Sequence, residues 1–400
     1  MKKAGILAIL LLCSLTGCQA VPEEVKEAKE GYQENKQINE TDISYTNLSG
    51  VKESVKEALQ LKPDNLILPE HIDFSAIEEV NTMIAEFNSG FIKEKDEFAK
   101  IFGYDKQEWK DTSIEWYGYQ TYTVENEEEQ YDLGVSDNGF ASAGFSGVYK
   151  EFFEQDTTEL THIYHIERSE AAEDVCILEG EETTVQAQVD YINQWFDEKW
   201  KWKAEGISYR VKTAMLRKMT NGNDMISMCV EGVYGGVPFD TYGGEMEIDT
   251  KTNTAKMLHL GTEITVAQTQ KERIEYFTTA RGTFYIASKE EQKELLDLPS
   301  AIHLVEKEIS GFQKLAIADI RIIYMLAPIY EEGQDTFNHD APGRQMEVQP
   351  YYRFYINRNY QDMGFANIEN GSLDYFINVD MLTGKITLNL GMDAYKSQGE

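Results

Sequence analysis

Hydrophobic positions in the first third of the chain follow two spacings, and each spacing predicts a different element. Val51, Val55 and Leu59 recur every four residues, which predicts a helix that ends before Pro63. Similar spacing predicts a second helix over residues 75–87. Residues 114–124 and 131–145 are instead aromatic, β-branched or alternating, as strands are, and a DNG turn at residues 137–139 favours a hairpin.

The rest of the chain twice places a helical pattern before a series of strands. A helix is predicted from Thr183, which has capping-box spacing to Gln186, and strands follow over residues 207–216, 224–235 and 244–261. A second such helix is predicted over residues 300–310, followed by strands over 318–330, 346–358 and 373–391. We therefore expect an α+β fold of antiparallel meander sheets, each covered by helices on one face.

These patterns divide the folded part of the chain into three predicted regions. They are an N-terminal α+β domain over residues 43–170 and two related α+β units over 180–265 and 287–391. The last strands of the two units share the order strand, Asp, polar turn with Thr, Lys, strand and Leu-Gly. This similarity predicts a tandem repeat.

The segment YFINVDMLTGKITL, residues 375–388, resembles the terminal hairpin of PepSY-like domains. In such a hairpin we expect Asp380 to accept hydrogen bonds from turn N–H groups and Gly384 to adopt a positive φ. The earlier unit has Asp249 and Asn253 but no glycine in its turn, so it matches less well. The resemblance implies an extracytoplasmic binding or regulatory module, and it brings no set of catalytic residues.

The N-terminus has the layout of a bacterial lipoprotein. Two lysines precede the apolar run of residues 4–15, which is too short to span a bilayer, and the sequence LTGC then ends at Cys18. LTGC resembles a lipobox, which implies that residues 1–17 are a signal peptide and that Cys18 carries the lipid, with palmitate among its acyl chains. Two chains are sufficient for a stable membrane anchor.

Residues 18–42 join this anchor to the folded regions. Large apolar residues are almost absent there, and Glu, Lys, Gln and Asn dominate, so we expect a flexible acidic tether. Together with the mixed α/β region, this layout resembles uncharacterised surface lipoproteins of Gram-positive, clostridial-type anaerobes. The resemblance implies a cell-envelope location on the extracytoplasmic face of the membrane.

Composition excludes one class of partner. The chain has 37 Lys and Arg against 70 Asp and Glu, a net charge of −33. Nucleic-acid binding depends on cations that neutralise phosphates, so we expect no nucleic-acid partner. Apart from Cys18 and the signal-peptide Cys13, only Cys176 and Cys229 are present, and they could pair or remain free.

No catalytic, metal or cofactor motif is found. GxSxG, HExxH, paired CxxC, the EF-hand loop and the phosphate-binding GKS or GKT are all absent. His162 and His165 lie close together, but residues three apart on a strand face opposite ways. We therefore expect no metal, no cofactor and no enzymatic activity.

One strand has the composition of a ligand-binding surface. In QPYYRFYINRNY, Tyr351, Arg353 and Tyr355 share one face, and residues 352, 354 and 356 share the other. The first face could bind a sugar or a peptide, or it could be another packed layer.

The predicted function is therefore that of a non-catalytic, membrane-anchored protein that binds or regulates an envelope protein. Capture of a solute or a glycan is the alternative. An envelope hydrolase is the third hypothesis and would require a cleft with perturbed carboxylates or histidines.

Overall fold

The structure is a computed structural model. It describes residues 43–105, 107–113, 120–127, 131–145, 158–168, 170–202, 205–219, 221–241, 245–249, 254–279, 283–310, 315–330, 345–356 and 376–389. The predicted signal peptide, Cys18, the tether and the aromatic segment 114–119 lie outside these residues. From Ser44 onward the described residues form one compact unit.

Strands dominate this unit, which is 48% strand and 19% helix. In the first half they are β1 (Tyr45–Thr46), β2 (Leu66–Ile67), β3 (Asn81–Phe87), β4 (Lys110–Asp111), β5 (Thr121–Asn126), β6 (Tyr131–Ser136), β7 (Ala141–Phe145), β8 (Thr158–Tyr164), β9 (Val175–Leu178) and β10 (Glu181–Thr184). In the second half they are β11 (Ile207–Met219), β12 (Asp224–Tyr234), β13 (Val237–Pro238), β14 (Glu245–Asp249), β15 (Thr254–His259), β16 (Ile264–Gln268), β17 (Tyr276–Thr279), β18 (Phe284–Glu291), β19 (Leu295–Leu296), β20 (Leu315–Pro328), β21 (Gln345–Ile356), β22 (Phe376–Asp380) and β23 (Ile386–Asn389).

The described helices are fewer and shorter than the strands. They are α1 (Leu48–Ala58), α2 (Gly90–Lys93), α3 (Lys95–Ile101), α4 (Val185–Glu198) and α5 (Leu298–Glu308), with a 3-10 turn at Ile166–Arg168. Asn47, Thr184 and Asp297 cap α1, α4 and α5 with their side-chain oxygens. Within the described ranges, no helix is long and apolar enough to cross a membrane.

Two large sheets contain most of the strands. The ten-stranded sheet has the order β4-β5-β6-β7-β17-β16-β12-β11-β8, with β13 added beside β12. The seven-stranded sheet has the order β18-β3-β21-β20-β2, and the hairpin β22–β23 also joins it at β21. Both sheets draw strands from more than one predicted region, because β8 pairs with β11 in one sheet and β3 pairs with β21 in the other.

The predicted α+β class with helix-covered meander sheets is wrong, because the protein is a sheet-rich fold. The helix predicted over residues 75–87 shows one cause. Residues 81–87 form β3, in which Asn81, Met83, Ala85 and Phe87 are buried alternately. The residues that suggested a helical period, Ile77, Val80 and Ile84, do not follow this alternation, because Ile77 and Val80 precede β3 and Ile84 lies on its less buried face.

The predicted tandem repeat is also wrong. The second hairpin, β22–β23, extends the seven-stranded sheet through β21, whereas the first, β14–β15, forms a two-stranded sheet of its own. The turn chemistry of the second hairpin is nevertheless as predicted. Asp380 Oδ1 accepts hydrogen bonds from the N–H groups of Leu382 and Thr383 at 2.7 and 3.1 Å, and Gly384 has φ +70°.

The turn between β12 and β13 lies against the segment that precedes β3. Gly235 and Gly236 both have positive φ, and a Cβ atom on Gly236 would lie 2.2 Å from the carbonyl oxygen of Ala76. Glu78 N–H also donates to the carbonyl of Gly235 at 2.7 Å. This turn is therefore packed against the segment before β3 and has no room for a side chain.

We expect Gly236→Ala to destabilise the protein far more than Gly222→Ala. Gly222 also has a positive φ, of +87°, but its added Cβ would meet nothing within 4 Å. Gly222→Ala should therefore cost only the backbone strain of about 1 kcal/mol, whereas Gly236→Ala adds a steric clash and should cost about 3 kcal/mol or more. Urea unfolding of both variants tests this, and equal losses would contradict the role of the close approach.

Candidate functional site

The segment after this turn connects the two large sheets. Val237 and Pro238 pair with β12 in the ten-stranded sheet, and Phe239 then forms a parallel bridge with Tyr324 on β20 of the seven-stranded sheet. The N–H of Asp240 donates to the carbonyl of Tyr324 at 2.8 Å. The chain thus places the Asp240 carboxylate at the seam between the sheets.

Asp240 meets Arg353 of β21 in a buried bidentate ion pair. Arg353 Nη1 and Nη2 donate to Asp240 Oδ1 and Oδ2 at 2.5 and 2.7 Å, and the residues are only 2% and 5% exposed. Arg353 Nε also donates to Asn378 Oδ1 at 2.9 Å, and Phe376 places its ring centre 3.9 Å from the guanidinium carbon. Two parallel hydrogen bonds between opposite charges fix distance and angle together.

The structure therefore covers most of the predicted ligand face. Arg353 and Tyr355 are buried, and Tyr351 is half-buried with its ring centre 6.1 Å from that of His259. Residues 352, 354 and 356 on the other face are buried as well. This face is therefore packed inside the protein, as the alternative interpretation expected. The Arg353 guanidinium is already bound to Asp240.

Two β-bulges place further charged residues at the same seam. Lys212 is the extra residue between the pairs Val211–Val230 and Thr213–Cys229 of β11 and β12. On the facing sheet, Ala318 is the extra residue immediately before Asp319. Bulges turn side chains away from the regular alternation and are frequent beside functional sites.

The ionisable residues gathered here form what we call the seam cluster. Its members come from β11, β12, β20 and the turn after β8: His165, Glu167, Arg168, Lys212, Glu231, Asp319 and Arg321. They lie next to Tyr355, whose ring centre is 5.7 Å from the guanidinium carbon of Arg168 and 6.0 Å from that of Arg353. Tyr355 thus separates the seam cluster from the Arg353–Asp240 pair.

Hydrogen bonds join the seam cluster across the two sheets. Arg321 Nε donates to Asp319 Oδ2 at 2.6 Å, and Arg321 Nη2 donates to the backbone carbonyl of Glu167. Lys212 Nζ donates to Thr241 Oγ1 at 2.6 Å, one residue after Asp240. On β12, Glu231 accepts a hydrogen bond from its cross-strand neighbour Arg210 at 3.2 Å.

The two glutamates of the cluster are perturbed in opposite directions. Burial raises the pKa of Glu231 and outweighs the opposing effects of Lys212, Arg210 and Arg321. Burial also raises the pKa of Glu167, but the hydrogen bond and charges of His165, Arg321 and Lys212 lower it by more. The pKa of Glu167 therefore lies below its usual value. Glu167 is therefore a carboxylate at neutral pH.

Several buried polar atoms of the cluster lack a hydrogen-bond partner among the described residues. They are Nδ1 and Nε2 of His165, Oε2 of Glu167 and Nε of Arg168. The nearest approaches are 3.5 Å, between His165 Nδ1 and Glu167 Oε1, and 3.9 Å, between Arg168 Nε and the same oxygen. Buried polar groups are normally hydrogen-bonded, and an ordered water commonly completes the bonding of such groups.

The described residues do not form an obvious nucleophile or metal centre. Cys176 and Cys229 are free, and burial raises the pKa of their thiols to about 11 and about 12, so both are protonated at neutral pH. Among the described residues, no group of three or more His, Cys, Asp or Glu side chains could hold a metal ion.

Sequence reasoning identified Arg353 and Tyr355 and overlooked the groups around them. Asp240, Glu167, Lys212 and Arg321 were not singled out. A signal was present, because Glu231 and Arg321 each interrupt an apolar strand, in MCVEGVY and ADIRIIYML. A charge in a buried strand needs a partner, which makes such residues candidates for an internal cluster.

We expect Asp240→Asn to destabilise the protein by about 3 kcal/mol or more, because it leaves the Arg353 guanidinium buried without its anion. Urea unfolding measures the change. Lys201→Gln is the matched control, since it removes a half-exposed pair with Glu94 and should cost less than about 1 kcal/mol. The double variant Asp240→Leu, Arg353→Met should regain most of the loss. Equal stability of Asp240→Asn and the wild type would contradict the importance of the pair.

Comparison with known proteins informs the fold alone. No family model matches the chain, and no curated protein matches it. A crystal structure of an uncharacterized protein from Eubacterium rectale ATCC 33656 is similar, with a TM-score of 0.51 and 12% sequence identity. The similarity covers 84% of this chain and 98% of that one, so the sheet-rich fold extends over nearly the whole of the neighbour.

Proposed function

We propose that this protein is a non-catalytic, membrane-anchored binding or regulatory module on the extracytoplasmic face of the cell envelope, and that its partner is another envelope protein. The order of segments carries the proposal: a short apolar leader, the LTGC sequence at residues 15–18, an acidic stretch and then the folded unit. A lipid on Cys18 would hold the protein at the membrane, and the acidic stretch would give the folded unit reach.

The start of the folded unit is consistent with a tethered domain. Strand β1 begins at Tyr45 and pairs with β19, and the N–H of Ser44 donates to Ser300 Oγ of α5 at 3.0 Å. The first described residues are therefore fixed to the body of the unit. The reach of the domain then depends on the residues between Cys18 and Ser44.

We expect Cys18→Ala to release the protein from the membrane fraction and to abolish incorporation of an alkyne-labelled palmitate. Cys13→Ala is the matched control, because it changes a cysteine of the leader outside the LTGC sequence and should leave both properties unchanged. Cell fractionation with labelling in the native host measures them. A Cys18→Ala protein that stays labelled and membrane-bound would refute the anchor.

The seam cluster favours a second candidate function, the capture of a solute or a glycan. Sugar hydroxyls both donate and accept, as Glu167 Oε2, Arg168 Nε and the His165 ring require, and the Tyr355 ring lies beside them. Arg168 is the most exposed of these residues, with a side chain 23% exposed. A ligand would therefore approach past its guanidinium.

If the seam cluster binds a sugar, Arg168→Gln should lower the affinity about tenfold, since a good hydrogen bond to a charged group contributes roughly 1.5 kcal/mol. Calorimetric titration with a panel of neutral and acidic sugars measures the affinity. Arg273→Gln, at an exposed position, is the control. A panel in which no sugar binds the wild type would reject this second function.

A further inference from the structure

The hairpin β9–β10 presents an apolar surface that the fold leaves uncovered. Cys176 and Leu178 point inward and are fully buried, whereas Val175 and Ile177 point outward and are 60% and 42% exposed. In the described part of the chain, these are the only two large exposed hydrophobic residues that share a strand. Threonine would satisfy the strand preference at such positions equally well, so the exposed Val and Ile need another explanation.

Local structure holds this surface rigidly. Glu179 and Gly180 both have positive φ, as the two-residue type I′ turn of a tight hairpin requires. The N–H of Ile177 donates to Asp224 Oδ2 at 2.7 Å, and the N–H of Val185 donates to the carbonyl of Asp174 at 3.1 Å. The hairpin is therefore fixed to the ten-stranded sheet and to the start of α4. A surface that is already ordered loses little entropy when a partner binds.

Carboxylates surround the two apolar residues. Residues 170–182 include no Lys or Arg, and five of their acidic side chains are exposed: Glu173, Asp174, Glu179, Glu181 and Glu182. Glu182 lies directly opposite Ile177 in the hairpin register. Of the nearby bases, Lys218 is paired with Asp224 at 2.7 Å, and Arg273 donates to Gln270, which in turn donates to Glu179. The surface is thus an apolar strip with a negative rim.

We propose that this hairpin face, formed by Val175, Ile177 and their acidic rim, is the docking surface for a segment of an envelope protein that carries an apolar residue flanked by Lys or Arg. The inference rests on the proposed function and names the chemistry of the partner. The apolar side chain packs on Val175 and Ile177, and the flanking cations face the rim. An anionic membrane surface does not fit this rim, because like charges repel.

Site-specific photo-crosslinking in intact host cells tests the docking surface on the full, anchored chain. A photo-reactive phenylalanine analogue replaces Ile177 in one strain and Ile67, which is 53% exposed on β2, in the control strain. We expect one envelope protein to be crosslinked at position 177 and not at position 67. Mass spectrometry then maps the crosslinked segment, which should contain an apolar residue between Lys or Arg residues.

Substitutions separate the contribution of the apolar strip to partner binding from the contribution of the acidic rim. Val175→Thr in the photo-reactive strain should lower the crosslinking yield at least fivefold, and Glu182→Gln should lower it and weaken its dependence on salt. Both positions are exposed, so folding should be preserved. Equal crosslinking yields at positions 177 and 67 would overturn the proposal. So would a crosslinked protein segment that is acidic, or a crosslink to lipid instead of protein.

The outcomes also distinguish the docking surface from the proposed function. If Cys18→Ala releases the chain and a general amine-reactive crosslinker captures an envelope partner, but position 177 does not, the docking surface fails and the proposed function stands. If neither reagent captures a protein from cells in which the chain is membrane-bound, both proposals fail.

Discussion

The buried ion pair between Arg353 and Asp240 is the constraint on which the arrangement of the two sheets depends. Arg353 belongs to the seven-stranded sheet, and the chain reaches Asp240 from the ten-stranded sheet over the three residues that follow the Gly235–Gly236 turn. Removing two charges from water is unfavourable unless geometry and hydrogen bonding are nearly complete. The pair therefore favours one relative position of the sheets, and in that position Lys212 and Arg321 both lie close to Glu167.

The seam is balanced in charge although the protein has a net charge of −33, because its lysine and arginines are equal in number to its carboxylates. Most acidic residues are on the surface, where water screens them, and the seam collects arginine and lysine beside a few buried carboxylates. Because the low dielectric of the interior strengthens each interaction, small displacements there have large energetic effects. The two proposed activities thus use different parts of the molecule, the seam for a small solute and the β9–β10 hairpin for a protein.

Local features of the fold could be predicted from the sequence, and long-range pairing could not. The helix near residue 51, the DNG hairpin and the turn from Asp380 to Gly384 depend on residues a few positions apart, and all three are present. The β3 strand was mistaken for a helix because seven residues contain too few apolar positions to separate the two periods. The partner of Arg353 is 113 residues away, and no spacing rule connects them. Arg353 itself could be singled out, but its burial depended on knowing which strands lie beside β21.

The position of β3 has a consequence for how the chain acquires its structure. This strand is paired on one side with β18 and on the other with β21, about 200 and 260 residues later in the sequence. A polypeptide that emerges from the ribosome N-terminus first therefore carries Met83, Ala85 and Phe87 without their neighbours until almost the entire chain has been made. Folding of the seven-stranded sheet is thus delayed to the end of synthesis, and a chain truncated before β21 has no means of completing it.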